Sequence, residues 1–423
     1  MQDYNDMSKD DLLEEEKLLK NQYEKFKEQK LKLDMSRGKP SGEQLDLSNG
    51  LIDVLSEKDY LTENNTDCRN YGITDGIPEA KHLFAQIFES EDNEVIVGNN
   101  SSLNMMYDYI SSAMTKGIDG NKPWDKLNEV KFLCPVPGYD RHFTICQFFG
   151  IKMINIDMTS DGPDMDMVEK LVKEDESIKG IWCVPKYSNP LGTTFSDETV
   201  KRFANLIPKA KDFKIMWDNA YTVHHINTED KLLNILTECK KTGKEDMPIM
   251  FASTSKVTFS GAGISAMAAS FKNIEEIKKR MFVQSIGPDK INQLRHVKYF
   301  KDINGINNHM KKHAEIIKPK FDMVISKLTD NFSENILAEW ENPNGGYFVS
   351  VNVMDGCAKR VVELCKQAGV ALTPAGATYP YGIDSKDKNI RLAPTFPPVS
   401  ELQTAMDLFC LCIKLASIEK LKI

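Results

Sequence analysis

The chain has 423 residues, of which 41% are hydrophobic and 27% charged, with a formal net charge of −8 and a pI near 5.6. This length allows two or three domains with a substantial core, and the acidic balance argues against nucleic acid or an acidic membrane surface as the main partner. The N-terminus lacks the features of a secretory signal, and the nine scattered cysteines include no CxxC pair. We therefore expect a cytoplasmic protein with reduced cysteines.

The N-terminal segment predicts a helix followed by an extended arm. Residues 8 to about 33 are highly charged and carry apolar residues at helical spacing, namely Leu12, Leu19, Tyr23, Phe26 and Leu33. The next segment, LDMSRGKPSGEQLDLS, is rich in turn-forming residues and is typical of an arm rather than a core element. We expect residues 1–49 to form this helix and arm and to belong to a smaller domain.

From residue 94 onward, short apolar runs alternate with amphipathic helical stretches. The runs are EVIVG, VKFLC, IKMINI, KGIWCV, FKIMW, PIMFA and ISAMAASF. Their alternation with helices predicts an α/β fold with a largely parallel sheet covered on both faces, and we assign it to a large domain over residues 50–312. The pattern then changes to a long charged helix, a strand and further short elements. This change predicts a small α+β domain over residues 313–423.

Polar or aromatic residues follow five of the predicted strands directly. These segments are NNSS, PVPGYDRH, PKYSNPLG, DNAY and STSK. Each has an ordinary explanation when taken singly, since Asn189 precedes a proline in a turn, and Asp218 and Ser101 are typical helix caps. Ligands of open α/β sheets bind beyond the carboxyl ends of the strands. Five such segments in order therefore predict one ligand site.

The residue types in these segments match the chemical groups of pyridoxal 5′-phosphate. Lys256 offers an amine for an aldehyde, and Asp218 offers a carboxylate for a protonated ring nitrogen. Asn189 and Tyr221 can hydrogen-bond a phenolic oxygen, and Tyr139 can stack on the ring. We expect the phosphate at the start of the helix after residue 101 and at nearby hydroxyl groups. The serines in question are Ser101, Ser102, Ser253 and Ser255.

These segments resemble the fold-type-I pyridoxal-phosphate enzymes of the class I/II aminotransferases. The matching phrases are SRGKPSGEQLDLS, CPVPGYDRHF, DGPDMDMVEKLV, GIWCVPKYSNPLG, WDNAYTVHH, STSK and IRLAPTFP, and the similarity runs from about residue 30 to the end. Within the family, the chain is similar to the bacterial aspartate aminotransferase branch with an N-terminal R-G-K-P segment. The resemblance implies a mostly parallel seven-stranded sheet flanked by helices, plus a smaller α+β domain.

The resemblance also implies the roles of the cofactor-binding residues. Lys256 would bind the cofactor aldehyde and then carry the proton between the substrate α-carbon and the cofactor. Asp218 would keep the ring nitrogen protonated, Asn189 and Tyr221 would tune the phenolic oxygen, and Tyr139 would stack on the ring. The implied reaction is a ping-pong transfer of the amino group of aspartate or glutamate to a 2-oxo acid such as 2-oxoglutarate.

Substrate and partner contacts are implied in the same way. Arg391 would bind the α-carboxylate beside Asn189, and Gly38 would lie on the arm that closes over the substrate. A dicarboxylate needs a second cation, for which we expect Arg37, with Arg141 as the alternative. Tyr71 matches a tyrosine that reaches the phosphate of the neighbouring subunit, which implies a homodimer with shared sites. No metal is expected.

One position departs from the family pattern. Many members have a phosphate-binding arginine eight residues after the lysine, and this chain has Ile264 there. The phosphate charge would then be neutralised by the helix dipole, by serine hydroxyl groups and by a basic side chain that the sequence does not identify. The small residues of the segment 261–269 would allow the backbone either to approach the phosphate closely or to pack tightly beneath it.

Several other interpretations remain open at this stage. The same fold also supports transamination of aromatic or other amino acids and β-elimination by C–S lyases. Ser253 and Lys256 match the Ser-x-x-Lys pattern of acyl hydrolases, although the K-T-G that should follow comes earlier. The segment GAGISA matches a loose dinucleotide-binding pattern but lacks its acidic residue. His309 and His313 have the spacing of metal ligands, yet the lysines between them favour a surface helix.

Overall fold

The computed structural model describes residue 4, residues 7–333 and residues 337–422. In chain order the strands are β1 (Leu33–Asp34), β2 (Val95–Val97), β3 (Lys131–Val136), β4 (Lys152–Thr159), β5 (Gly162–Pro163), β6 (Ile178–Cys183), β7 (Lys214–Asp218), β8 (Pro248–Ser253), β9 (Ser265–Ala269), β10 (Ala338–Trp340), β11 (Val349–Val353), β12 (Val370–Ala371) and β13 (Asn389–Leu392). The helices are α1 (Lys9–Glu28), α2 (Gly42–Asp46), α3 (Pro78–Phe88), α4 (Ser102–Lys116), α5 (Asp140–Phe148), α6 (Met165–Glu174), α7 (Asp197–Asn205), α8 (Ile235–Lys241), α9 (Phe271–Gln284), α10 (Lys290–Phe300), α11 (Ile303–Phe332), α12 (Ala358–Gln367) and α13 (Val399–Leu421).

The central sheet contains all seven predicted strands, in the order β2-β9-β8-β7-β6-β3-β4, with the short strand β5 added at its edge. The strand β5 has two residues and pairs antiparallel with the end of β4, so the described sheet has eight strands rather than seven. Strands β8, β7, β6, β3 and β4 run parallel, whereas β9 is antiparallel to both of its neighbours. The carboxyl ends of the parallel strands therefore meet at one edge.

The N-terminal helix forms where the sequence predicts it but ends earlier than expected. Ser8 caps the helix by accepting a hydrogen bond from the backbone N–H of Asp11, and the apolar residues Leu12, Leu19 and Tyr23 are buried. The helix ends at Glu28 rather than near residue 33. The reason is that residues 33–34 are strand β1, which pairs in parallel with β12 from the C-terminal part.

Apart from the core around the central sheet, a separate hydrophobic core combines residues from the two ends of the chain. It holds apolar residues of α1, α11, α12 and α13 and of the antiparallel sheet β10-β11-β13. The 30-residue helix α11 runs without a break across residues 312 and 313, where we expected a domain boundary. The division into residues 1–49, 50–312 and 313–423 stays a prediction. Among the helices of the described residues, none has the length and apolar character that spanning a bilayer requires.

The expectation that the histidines of HMKKH lie on an exposed helix surface is wrong. His309 is 6% exposed and His313 is fully buried. Nε2 of His309 lies 2.9 Å from the carbonyl oxygen of Val257, and Nδ1 of His313 lies 3.1 Å from Nε2 of Gln44. Because the two histidines are one helical turn apart, they share the buried face of α11, while the lysines between them face solvent.

A third buried histidine supports the turn after β8. Nε2 of His296 lies 3.2 Å from the hydroxyl oxygen of Thr254 and 3.1 Å from that of Thr258, and Nδ1 lies 2.8 Å from the carbonyl oxygen of Asn292. Burial lowers the pKa of His296 to about 4. The side chain is therefore neutral at physiological pH and bonds the turn without carrying a charge.

This histidine makes folding stability depend on pH. The pKa of His296 is about 4 in the folded state and about 6.5 in the unfolded state. Its contribution to the free energy of unfolding is therefore complete above about pH 6.5 and is lost as the pH falls toward 4. We expect His296→Gln to reduce the loss of unfolding free energy between about pH 7 and pH 5 by about 2 kcal/mol. Urea unfolding at both pH values tests this. Equal losses in the variant and the wild type would contradict it, and exposed His82→Gln serves as the control.

Candidate functional site

The site lies at the edge of the sheet where the parallel strands end. Strand β7 ends at Asp218, and the turn after β8 carries Lys256. Nζ of Lys256 lies 4.9 Å from the centroid of the Tyr221 ring. Arg391, from the other sheet, reaches this edge and donates a hydrogen bond of 3.2 Å from Nη1 to Oδ1 of Asn189. The structure therefore brings together residues that are separated by more than one hundred positions in sequence.

Lys256 carries an amine whose surroundings favour its neutral form. Burial lowers the pKa of Lys256, and the negative charge of Asp218 opposes this shift. An amine with a lowered pKa exposes its lone pair more often at neutral pH, which is the property that addition to an aldehyde requires. The side chain is nevertheless only half-buried, so a ligand can reach it.

Buried side chains hold the backbone of this lysine in place. Its carbonyl oxygen accepts hydrogen bonds from Nε2 of His224 at 3.4 Å and from the hydroxyl group of Tyr347 at 3.3 Å. Burial lowers the pKa of His224 well below its usual range, and the neighbouring Lys256 adds to the shift. A neutral imidazole can therefore anchor the turn without adding a second positive charge beside the amine.

Asp218 is the most informative residue of the site. It is 3% exposed, and its Oδ2 lies 3.1 Å from Nε2 of His142, whose ring stacks on Trp182 with centroids 4.3 Å apart. Its Oδ1 is buried and has no hydrogen-bond partner among the described residues. A buried carboxylate oxygen without a partner is costly, so this atom fits a ligand that brings a hydrogen-bond donor or a positive charge. The ring nitrogen of pyridoxal 5′-phosphate is such a group.

Two tyrosines line the space around these groups. Tyr221 is 2% exposed, and burial raises its pKa well above the usual range, so its hydroxyl group stays protonated and can donate. Burial also raises the pKa of Tyr139 to about 12. The ring of Tyr139 packs edge-on against His142 with centroids 4.9 Å apart. Tyr139 therefore stands beside the Asp218–His142 pair, where a stacking residue would be needed.

The predicted phosphate-binding serines lie in one corner of the site. The Ser253 hydroxyl group is 3.2 Å from that of Ser255, which donates to the carbonyl oxygen of Asn100 at 3.2 Å. Ser101 caps α4 by accepting a hydrogen bond from the backbone N–H of Asn104, and Ser102 is the first residue of that helix. The capping interpretation of Ser101 is thus correct, and it still leaves the positive end of α4 at this corner.

The small residues after the lysine serve close packing. A Cβ atom added to Gly263 would lie 2.9 Å from Oγ1 of Thr254 and 3.1 Å from the backbone nitrogen of Ser255. Ile264 is buried in the core of the sheet, and its backbone bonds to Thr254. The segment GAGISA leads into strand β9 and not into a helix, so the dinucleotide-binding interpretation of this match is wrong.

Arg391 is held in position from several sides. It is 7% exposed, and Nη1 donates to Asn189 and to Oδ1 of Asp140, each at 3.2 Å, while Nε donates to Oγ1 of Thr373 at 3.4 Å. The guanidinium carbon lies 4.8 Å from the ring centroid of Phe348. A planar cation that is fixed in this way is suited to binding a carboxylate.

The N-terminal arm crosses close to this arginine. A Cβ atom on Gly38 would clash with the ring of Phe348, so a larger residue would require that ring to shift. The carbonyl oxygen of Lys39 accepts a hydrogen bond of 3.0 Å from Thr395. Arg37 and Arg141 are both exposed, and neither forms a salt bridge within the described residues.

Comparisons with known proteins agree on one family. The profile described as aspartate amino-transferase matches residues 7–423. A protein of Mycolicibacterium smegmatis named as an aminotransferase is 46% identical over 99% of both chains. The aspartate aminotransferase of Corynebacterium glutamicum is 43% identical, over 95% of this chain and 93% of that one. This chain belongs to the aspartate amino-transferase family.

Solved structures support the same assignment for this aminotransferase. The crystal structure of an aspartate transaminase from C. glutamicum superposes with a TM-score of 0.96 at 42% identity and covers 98% of each chain. The predicted family and fold, a fold-type-I aminotransferase, are confirmed. The acyl-hydrolase interpretation of Ser253 and Lys256 is therefore wrong.

Sequence reasoning missed His142 and Asp140 in this aminotransferase. Both lie in the segment PGYDRH, from which the sequence predicts only Tyr139 and, as the alternative second cation, Arg141. A signal for His142 was present, because a residue three positions after Tyr139 on a helix lies on the same face. Asp140 offered no such signal, since its contact with Arg391 joins residues 251 positions apart.

Asp218→Asn is expected to weaken the binding of pyridoxal 5′-phosphate at least about tenfold, because the amide removes the charge that faces the ring nitrogen. Equilibrium dialysis of the aminotransferase with the cofactor measures this without an activity assay. The matched control is Asp212→Asn, because Asp212 is equally buried but already bonded to Lys179 and Trp124. Equal cofactor affinity in Asp218→Asn and the wild type would contradict the assignment.

Proposed function

We propose that this protein is a pyridoxal-5′-phosphate-dependent aminotransferase that moves the amino group of aspartate or glutamate to a 2-oxo acid such as 2-oxoglutarate by a ping-pong reaction. The observation that carries the proposal is the unpaired oxygen of buried Asp218 close to the amine of Lys256. An amine of lowered pKa and an unpaired carboxylate at one edge of the sheet are the two groups that this cofactor requires.

The residues present fit the cofactor. Bound pyridoxal 5′-phosphate would supply an electron sink for the substrate α-carbon. Asp218 would hold the ring nitrogen in its protonated form, with His142 fixing the orientation of the carboxylate. Asn189 and Tyr221 would bond the phenolic oxygen, and Tyr139 would cover the ring. The phosphate would lie at the start of α4 among Ser101, Ser102, Ser253 and Ser255.

Lys256 would also act on protons. Nζ would accept the proton of the substrate α-carbon and later donate it again, a role that its lowered pKa favours. The bonds from His224 and Tyr347 to the Lys256 carbonyl oxygen keep the base of this side chain fixed. Because the backbone of Lys256 is fixed, Nζ would stay close to the position from which it can transfer the proton.

The substrate would bind between Arg391 and the arm. Arg391 would take the α-carboxylate, with Asn189 orienting the guanidinium group. Gly38 lies against Phe348, which itself packs on Arg391, so the arm borders the same space. We assign the side-chain carboxylate of aspartate to Arg37 on this arm, and Arg141 is the alternative.

We also propose a homodimer with shared sites. Tyr71 is 79% exposed, and the backbone N–H of the next residue bonds to the carbonyl oxygen of Ile286 at 3.2 Å. Phe282, Val283 and Ile286 are exposed beside it. An apolar surface of this kind supports pairing with a second copy, in which Tyr71 would reach the partner's phosphate corner.

A direct assay tests the reaction type. The protein loaded with cofactor, aspartate and 2-oxoglutarate should form glutamate and oxaloacetate in equal amounts, and Lys256→Ala should lose at least about a thousandfold in rate, since Nζ carries both roles. Faster amino transfer from aromatic amino acids than from aspartate would instead assign the protein to the aromatic substrate class. Pyruvate and ammonia formed from a cysteine conjugate would instead favour β-elimination.

A variant tests the role of Arg37. Arg37→Ala is expected to raise KM about tenfold for aspartate but less than about twofold for alanine, because alanine has no distal carboxylate. Steady-state kinetics with both amino acids measure this, and Lys32→Ala, at an exposed lysine before the arm, is the control. Equal increases for the two substrates would contradict the assignment and direct the same experiment to Arg141.

A further inference from the structure

Asp140 forms an ion pair with the arginine to which we assign the substrate carboxylate. Oδ1 of Asp140 lies 3.2 Å from Nη1 of Arg391. The aspartate is the first residue of α5, where the positive end of the helix favours a negative charge. Among the described residues, Arg391 is its only side-chain hydrogen-bond partner. The pair therefore places a carboxylate of the protein at a site proposed to bind a carboxylate of the substrate.

The hydrogen-bond geometry of Arg391 makes this contact consequential. A guanidinium group binds a carboxylate with two parallel N–H bonds, either through Nη1 and Nη2 or through Nε and Nη2. Nη1 has two hydrogens, and Asn189 and Asp140 accept from it. Nε already donates to Thr373, although at 3.4 Å. An incoming carboxylate thus finds no edge of the guanidinium group with both donors free.

Asp140 is the partner that can leave most easily. Its side chain is 34% exposed, whereas Asn189 is 4% exposed and Thr373 is 6% exposed. A carboxylate with this exposure can rotate toward water and regain hydration, so the contact is a partly screened ion pair rather than a buried one. Two carboxylates close to one guanidinium group would also repel each other.

We infer that Asp140 is a built-in competitor of the substrate carboxylate: it occupies Arg391 in the free site, must be displaced when substrate binds, and thereby weakens substrate binding. This inference rests on the proposed function, because it takes Arg391 as the carboxylate-binding residue. Asp140 would act through Arg391 and would not touch the reacting atoms. The substrate class affected comprises all carboxylates that bind Arg391, reactive or not.

Binding of succinate, a dicarboxylate without an amino group, tests this in the cofactor-loaded protein. Isothermal titration calorimetry at constant ionic strength compares the wild type with Asp140→Asn. Loss of the competing charge should lower the Kd about fivefold, the value expected for removing a partly exposed ion pair. The control Asp10→Asn removes the same charge from the first turn of α1, which is exposed, and should leave the Kd unchanged. In steady-state assays, KM for aspartate should fall more than kcat changes.

The outcomes separate this inference from the function on which it rests. If the wild type binds succinate, Arg391→Gln loses binding and Asp140→Asn binds more tightly, the inference is supported. If Asp140→Asn binds equally or more weakly while Arg391→Gln still loses binding, Asp140 only orients the arginine and the inference is wrong. If the wild type does not bind succinate, or Arg391→Gln binds it as well as the wild type does, the proposed carboxylate site itself fails.

Discussion

The site depends on keeping the half-buried amine of Lys256 and the buried carboxylate of Asp218 at one edge of the sheet without a salt bridge between them. Asp218 bonds His142 through one oxygen and leaves the other unpaired, and Lys256 forms no salt bridge among the described residues. Had the two side chains joined, the amine would stay protonated and the carboxylate would be satisfied. The protein instead bears the cost of one buried carboxylate oxygen without a partner, a cost that a bound ligand can relieve.

The fold keeps Lys256 and Asp218 in place through hydrogen bonds from buried histidines. Neutral imidazoles of His224 and His296 hold the turn that carries Lys256, and the ring of His142 holds Asp218. The imidazoles of His224 and His296 suit this task because they bond the turn while burial, which lowers their pKa, keeps them uncharged. Lysine or arginine in the same places would put a positive charge under the amine and shift its pKa further down.

Local pattern was sufficient to predict the large elements and the residues at the strand ends. The seven apolar runs became strands because each is short, apolar and bounded by polar residues, and the carboxyl ends of parallel strands meet whatever the loop lengths are. The buried position of His309 and His313 could not be predicted in this way. Lysines flank them in sequence, and only the packing of α11 under the Lys256 turn decides which face is covered. The contact of Asp140 with Arg391 likewise depends on tertiary structure alone.

Reduction of the cofactor-loaded protein with borohydride, followed by peptide mass spectrometry, would identify the lysine that binds the cofactor. Borohydride permanently fixes an aldehyde that is bound to a lysine amine. We expect a pyridoxyl group on the peptide that contains Lys256, and its loss from that peptide when excess aspartate is added before the reduction. A pyridoxyl group on a different lysine, or one that remains on Lys256 in the presence of aspartate, would contradict the role assigned to Lys256.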